Sequence, residues 1–346
     1  MNGLRCVGSP CPPILKGTCI DADEPAMTGK EGEVMTITLA STEGLPHAKW
    51  LEYRRMGIGG SDASVVCGIN KYKSPIELFM EKTGRTPHRE AGEAAYWGVR
   101  LEPLVRDEFT LRTGLEVSHL KRILQSGEHP FMLANLDGVV ECPEHGACVF
   151  EAKTAGAYLL GDWEEGVPDA YTLQVQHYMA VTGYKGAYIA ALIGGNTFKW
   201  RFVKRDEELI AMLVELEAGF WELVQTDTPP PPDGSEACAR FMGETFPNSV
   251  SAGIELPKDA AALIRRYDAA CEQMEASAER KRLAENLLKG MLGECECGRS
   301  GDRYVNWKTV CQERLDSKAF KAKHPKLYRK YVNKTSHRRF SISAAM

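Results

Sequence analysis

Four consecutive prolines, Pro229 to Pro232, constrain this chain more than any other stretch of it. Each proline fixes its own φ and lacks an amide proton, so the run can continue neither a helix nor a central strand. Residues 228–234, ending in Asp233-Gly234, therefore read as a stiff linker that divides the 346 residues in two. A domain over 46–227 precedes it and a module over 235–346 follows. Residues 1–45 carry Gly, Pro and small polar residues without a sustained period, and read as a poorly ordered extension with Met35 as a candidate start. With 43% hydrophobic and 26% charged residues the composition excludes a mainly disordered or fibrous chain. No run of about 18 apolar residues occurs, which excludes a membrane-spanning helix, and no basic-then-apolar leader opens the chain. Eleven scattered cysteines, an odd number, read as reduced thiols in a cytoplasmic protein.

Charge is distributed unevenly. Arg299 to Met346 holds thirteen Lys/Arg against three Asp/Glu, a local +10, and leaves −14 on the remainder of a chain whose net charge is −4. Aromatic residues such as Tyr304, Trp307 and Tyr331 interleave with these bases. Such a tail suits a polyanionic partner, although a solvated basic face is the plainer explanation.

The local patterns predict an α/β order. Gly57-Ile58-Gly59-Gly60-Ser61-Asp62 is a turn capping a helix over 63–67, with Ser61 or Asp62 as N-cap. Ser74-Pro75 opens a second helix to Lys82, and a long helix runs over 91–112 until Gly114. Strands are expected over 116–119, 132–141 and 148–153, the last two joined in a hairpin by Cys142-Pro143-Glu144-His145-Gly146. A helix over 169–182, strands over 186–193 and 199–204, and a helix over 207–224 complete the domain. Beyond the linker come a long helix over 257–292, with a near-heptad stripe through Ile264, Tyr267, Cys271, Met274 and Ala278, and strands over 304–310 and 339–343.

One constellation carries chemistry. Asp137 precedes Glu151-Ala152-Lys153 by one hairpin, and Glu151 and Lys153, two apart in a strand, share a face. Carboxylates beside an ammonium suit a hard divalent cation and an attacking water. Taken alone, three such residues also describe a solvated hairpin edge. Glu102, in Trp97-Gly98-Val99-Arg100-Leu101-Glu102-Pro103, adds a helical carboxylate to the set, and Gln174 lies three residues before His177 on one helix face.

Trp50-x3-Arg54-Arg55-x-Gly57-Ile58-Gly59-Gly60-Ser61-Asp62, the Trp97…Pro103 run, Asp137-Gly138, Glu151-Ala152-Lys153 and Gln174-Val175-Gln176 fall in one order. In that order, over about residues 46–225, the chain resembles the YqaJ-like viral recombinase family. That family is similar to lambda exonuclease, in the PD-(D/E)xK nuclease superfamily. The resemblance implies a restriction-endonuclease-like core, a central mixed β-sheet flanked by helices, with a C-terminal helical and β-hairpin extension. It implies Mg²⁺, or Mn²⁺ in its place, held by Glu102, Asp137, Glu151 and the Ala152 carbonyl. Lys153 would activate the water, Gln174 would lie beside it, and Arg54 or Arg55 with Ser61 would bind a 5′-phosphate. Leu136 stands where the family has a proline. The implied activity is a 5′-to-3′ exonuclease on linear double-stranded DNA that leaves single strands for recombination. Implied partners are double-stranded DNA ends, a single-strand annealing protein and further copies in a ring trimer, and the implied setting is a bacterial host cytoplasm with the protein encoded by a phage or prophage. The alternatives are an endonuclease of the same fold and a non-catalytic DNA-end-binding protein. Cys142-x2-His145-x2-Cys148 departs from paired zinc knuckles and reads as a turn that happens to carry soft ligands.

Overall fold

β-Branched residues build a strand where the N-terminal extension was expected to be irregular. In the computed structural model, which describes residues 35–85, 92–333 and 335–343, Thr36–Ser41 forms β1. It is followed by α1 (His47–Arg55), β2 (Ile58–Gly59), α2 (Gly60–Val66), α3 (Pro75–Lys82) and α4 (Glu93–Thr113). Next come β3 (Val117–Ser118), β4 (Arg122–Ser126), β5 (Met132–Ala134), β6 (Gly138–Cys142) and β7 (Gly146–Ala155). Then follow α5 (Asp169–Thr182), β8 (Gly186–Ile193), β9 (Thr197–Lys204), α6 (Glu207–Gln225) and α7 (Glu236–Thr245). β1 pairs antiparallel with β4, so the ordered fold begins before residue 46.

Two mixed sheets result, in the orders β1-β4-β5-β2 and β3-β6-β7-β8-β9. Among the described residues only β2–β5 and β7–β8 are parallel pairs. The expected α/β arrangement of mixed sheet and flanking helices is present. The segment expected as one strand over 132–141 is instead two strands in different sheets, broken at Asn135-Leu136-Asp137. Gly138 lies so close to Val117 that a Cβ there would collide with it, which holds the start of β6 against β3.

Strand alternation distributes β8 between two cores. Ala187, Ile189, Ala191 and Ile193 face a cluster shared with Val175 and Met179 of α5, whereas Tyr188 and Ala190 face Val105 and Phe109 of α4. Phe109 lies 5.0 Å from Phe150 and 5.4 Å from Tyr188 between ring centroids, a contact worth about 1 kcal/mol per aromatic pair beyond area burial. Within α4 Val105 and Phe109 are the buried residues, and Tyr96, Val99 and Leu111 are exposed. Every residue from Leu173 to Val181 of α5 is buried, because this helix meets strands of both sheets.

The proline run is irregular as expected, but it is not the boundary. Ala237, Cys238 and Phe241 of α7 are buried, Arg240 donates to the Tyr72 carbonyl at 2.7 Å, and the first unit extends to Met242. The second unit, from Gly243, contains α8 (Ala260–Leu292), a hairpin of β10 (Cys297–Ser300) and β11 (Arg303–Asn306), and α9 (Ser317–Lys323) and α10 (Pro325–Tyr331). The strand expected over 339–343 is absent among the described residues, and within the basic tail Ser317–Lys323 and Pro325–Tyr331 are helical. None of the helices among the described residues is long and apolar enough to cross a membrane.

Candidate active site

Asp137 enters the site from the chain break before β6 and is fixed there by the strand it faces. Its Oδ2 accepts from the Ala152 amide at 2.9 Å, joining the start of β6 to β7. Glu151 and Lys153, on the α5 side of β7, meet Gln174 and Tyr178, one turn apart on α5. Lys153 Nζ donates to Glu151 Oε1 at 2.6 Å and to Gln174 Oε1 at 2.9 Å. Gln174 Nε2 donates to Glu151 Oε1 at 2.6 Å and to the Tyr178 hydroxyl at 3.1 Å. The amide of Gln174 therefore has its orientation set by three partners, and it ties carboxylate and ammonium into one array. Glu151 Oε2 is left buried without a hydrogen-bond partner.

Negative charge is crowded here. Burial, and then Asp137, push the Glu151 carboxyl up to about 8. Burial and Asp137 likewise raise Glu102 to about 7, against the opposing pull of Arg106, whose Nη2 lies 3.7 Å from it. Asp137 itself is raised chiefly by burial. Burial disfavours the Lys153 ammonium, but Glu151 beside it more than compensates and holds its pKa above the ordinary value. Among the described residues no three His, Cys, Asp or Glu side chains are drawn together as a finished metal cage. The donor chemistry nonetheless fits a hard divalent cation: carboxylates that raise one another's pKa, and an orphaned carboxylate oxygen with no proton donor.

Arg54 lies in the last turn of α1 and faces the beginning of α2. Its Nη2 donates to Ser61 Oγ at 3.1 Å and Asp62 Oδ1 at 3.2 Å, and its guanidinium stacks 5.1 Å from the Trp50 ring centroid. Arg55, one residue on, is exposed and lies outside this cavity. The cap expected at Ser61 or Asp62 lies two or three residues earlier. Gly59 is the N-cap, and Asp62, at the third helical position, reaches back to accept from the Gly59 amide at 3.1 Å. Gly60 is required by contact, since a Cβ there would lie 2.5 Å from the Tyr178 ring. Beneath Arg54, buried Lys82 donates to Asp62 Oδ2 at 2.7 Å and to the Arg54 carbonyl at 2.8 Å. Burial pushes the Asp62 carboxyl up, but Lys82 and Arg54 outweigh it and hold the pKa far below the usual carboxylate range.

A single cavity of about 190 Å³ joins the two clusters. It is lined by Trp50, Arg54 and Ser61 at one end and by Asp137, Glu151 and Gln174 at the other, with Tyr178 between. A larger open groove of about 450 Å³ on β9, lined by Arg112, Trp200 and neighbours, contains no carboxylate. Glu102 and Lys153 adjoin the carboxylate cluster without lining this cavity. Tyr178 and Lys82 are the members that sequence reasoning missed. Tyr178 carried a local signal, four residues after Gln174, whereas nothing in the spacing of Lys82 announces a buried lysine. Cys142 and Cys148 are buried in the β6–β7 hairpin, Cys142 Sγ lies 3.3 Å from the Tyr188 hydroxyl, and His145 stacks on Phe202, so this trio packs the turn.

The profile described as the YqaJ-like viral recombinase domain matches residues 49–185. The uncharacterized protein YqaJ of Bacillus subtilis (strain 168) is 38% identical over 322 residues, which cover 91% of this chain and 99% of that protein. Among solved structures, an alkaline exonuclease (LHK-Exo) from Laribacter hongkongensis is 20% identical with a TM-score of 0.44, covering 57% of this chain and 99% of that one. A phage related exonuclease from Haemophilus somnus 129PT is 14% identical with a TM-score of 0.39, covering 51% and 99%.

Proposed function

This chain belongs to the YqaJ-like viral recombinase family, and we propose that it is a divalent-metal-dependent DNA exonuclease acting 5′-to-3′ from the ends of linear duplex DNA. The observation that carries this reading is the shared cavity, lined at one end by an arginine and a helix start and at the other by Asp137, Glu151 and Gln174, the last two of which hold Lys153 beside it. A cation held by Glu102, Asp137, Glu151 and the Ala152 carbonyl would polarise a phosphoryl oxygen and ease deprotonation of water.

The chain's own residues do the rest. Lys153, held between Glu151 and Gln174, orients a water toward phosphorus and supplies positive charge as negative charge builds on the phosphoryl oxygens. Gln174 keeps that ammonium from swinging away, because its carbonyl accepts from Lys153 while its amide is spent on Glu151 and Tyr178. Arg54 uses Nη2 for Ser61 and Asp62, which leaves Nε and Nη1 for a terminal phosphate. A terminal phosphate carries more charge than an internal one, so a cationic pocket at a fixed distance from the scissile bond selects ends. Double-stranded DNA ends are the substrate in this reading, the surviving strand passes to a single-strand annealing protein in a host cytoplasm, and the nuclease works as a homo-oligomer.

Digestion of 5′-phosphorylated linear, 5′-hydroxyl linear and sealed circular duplexes with Mg²⁺ or Mn²⁺ tests it. Linear DNA with a 5′-phosphate should be consumed fastest and circles spared. Asp137→Ala and Glu151→Ala should abolish cleavage while the protein stays folded, and Arg54→Ala should erase the 5′-phosphate preference where Arg55→Ala does not. Near-native cleavage by either carboxylate variant, or efficient cutting of circles, would refute the assignment.

A further inference from the structure

We propose that α8 pairs antiparallel with α8 of a second copy of this chain. The helix runs for 33 residues, about 50 Å at 1.5 Å per residue, and none of its side chains is buried. Met274, Leu288 and Met291 are 72%, 41% and 81% exposed. The unit that contains it covers only parts of the helix: Phe340 packs on Tyr267 at 5.6 Å between ring centroids, and the Trp307 ring lies 5.9 Å from Lys289 Nζ.

Charge selects the occupant and its direction. With Ile264 and Tyr267 as positions a and d of a heptad, the e positions are Asp268, Glu275, Arg282 and Lys289, two acids followed by two bases. The g positions, from Leu263 to Met291, carry no charge, and the three central ones are Ala270, Ser277 and Ala284. Parallel helices bring e against g, which would leave all four charges without partners. Antiparallel helices bring e against e and g against g. One register then sets Asp268 opposite Lys289 and Glu275 opposite Arg282, and the two-fold axis repeats both pairs. The small g residues let the two backbones approach on the other side of the seam. Lys281 and Glu285, 3.7 Å apart in one helix, take a d and an a position near the axis, so an intrahelical ion pair interrupts the apolar stripe there. No contact of the first unit is involved, so the proposal is independent of the nuclease reading.

The test is the mass of the full chain in solution by light scattering after size exclusion, for the native protein and two charge variants. Asp268→Lys with Glu275→Lys makes every e position basic, and Arg282→Glu with Lys289→Glu makes every e position acidic. Each variant alone should show half the native particle mass, since any association through the first unit persists in both. An equimolar mixture of the two should restore the native mass, and one chain carrying all four substitutions, with the pattern exchanged end for end, should restore it without mixing. Masses equal to native in both variants overturn the proposal. So does dissociation of both that neither mixing nor the fourfold exchange reverses, because helix damage rather than charge pairing would then be the cause. Far-ultraviolet circular dichroism of each variant confirms that α8 is retained.

Discussion

Lys82 is 1% exposed in its side chain and forms a buried ion pair with Asp62, which is 3% exposed. Replacing Lys82 by Met removes the ammonium and leaves a buried carboxylate with two remaining donors, Arg54 Nη2 at 3.2 Å and the Gly59 amide at 3.1 Å. Breaking a buried pair from one side costs about 3–5 kcal/mol, and the two surviving donors put this case near the lower end. Asp62→Asn should cost a similar amount, since it leaves the Lys82 ammonium buried against neutral oxygens and frees Arg54. The double variant carries neither orphaned charge, so its loss should be about 3–4 kcal/mol rather than the sum of about 6, a coupling of about 2–3 kcal/mol. Urea unfolding of the native chain and the three variants measures the cycle. Additivity within about 0.5 kcal/mol would refute the argument that the pair acts as one buried unit. The pH dependence has a definite sign. Because the folded pKa of Asp62 is depressed, its contribution is complete above an unfolded value of about 4 and is lost as pH falls below that toward the folded value. Lys82→Met should therefore flatten the stability curve on the acid side, and, because burial holds the Lys82 pKa below its ordinary value, it should also remove that lysine's rise in stability with pH on the basic side.

Gly60→Ala should destabilise the fold by about 1–3 kcal/mol in thermal melts, because the new methyl meets the Tyr178 ring between packed elements. Phe109→Ala, which empties a site with no exposure between α4 and the sheet, should cost about 3–5 kcal/mol by urea unfolding. Gln174→Leu should lower kcat in the nuclease assay by at least about tenfold with little change in DNA binding, since it unties Lys153 and leaves the Glu151 carboxylate short of a donor.

Much of the site was legible because its spacing is local. The Pro143…Gly146 turn between two apolar, alternating segments announced the β6–β7 hairpin, and with it the proximity of Asp137, Glu151 and Lys153. The break at Asn135-Leu136-Asp137 was not legible, since alternation continues across it and only long-range pairing decides that β5 joins β4 while β6 joins β3 and β7. β1 was missed for the same reason: its six residues are half exposed and are held as a strand by β4, eighty and more positions away. The proline run was read correctly as irregular chain and wrongly as a boundary. Irregular backbone does not preclude a following helix from burying Ala237, Cys238 and Phe241 against the unit it has just left.

The choice between Arg54 and Arg55 shows where pattern ends and geometry begins. Consecutive residues at the end of a helix diverge by about 100°, so one arginine reaches the cavity and the other does not, and no composition argument distinguishes them. Lys82 is harder still, because a lysine is almost never fully buried unless paired, and its position on α3 carries no mark of pairing. Its presence nonetheless decides what Arg54 can do. Arg54 and Asp62 alone sum to zero, so that pair by itself would offer an arriving phosphate no net charge. With Lys82 beneath, the cluster carries a net +1, Asp62 is spent on positioning both cations, and the excess charge faces the cavity through Arg54. In the proposed reading, phosphate binding at Arg54 therefore depends on a lysine that the phosphate need never touch.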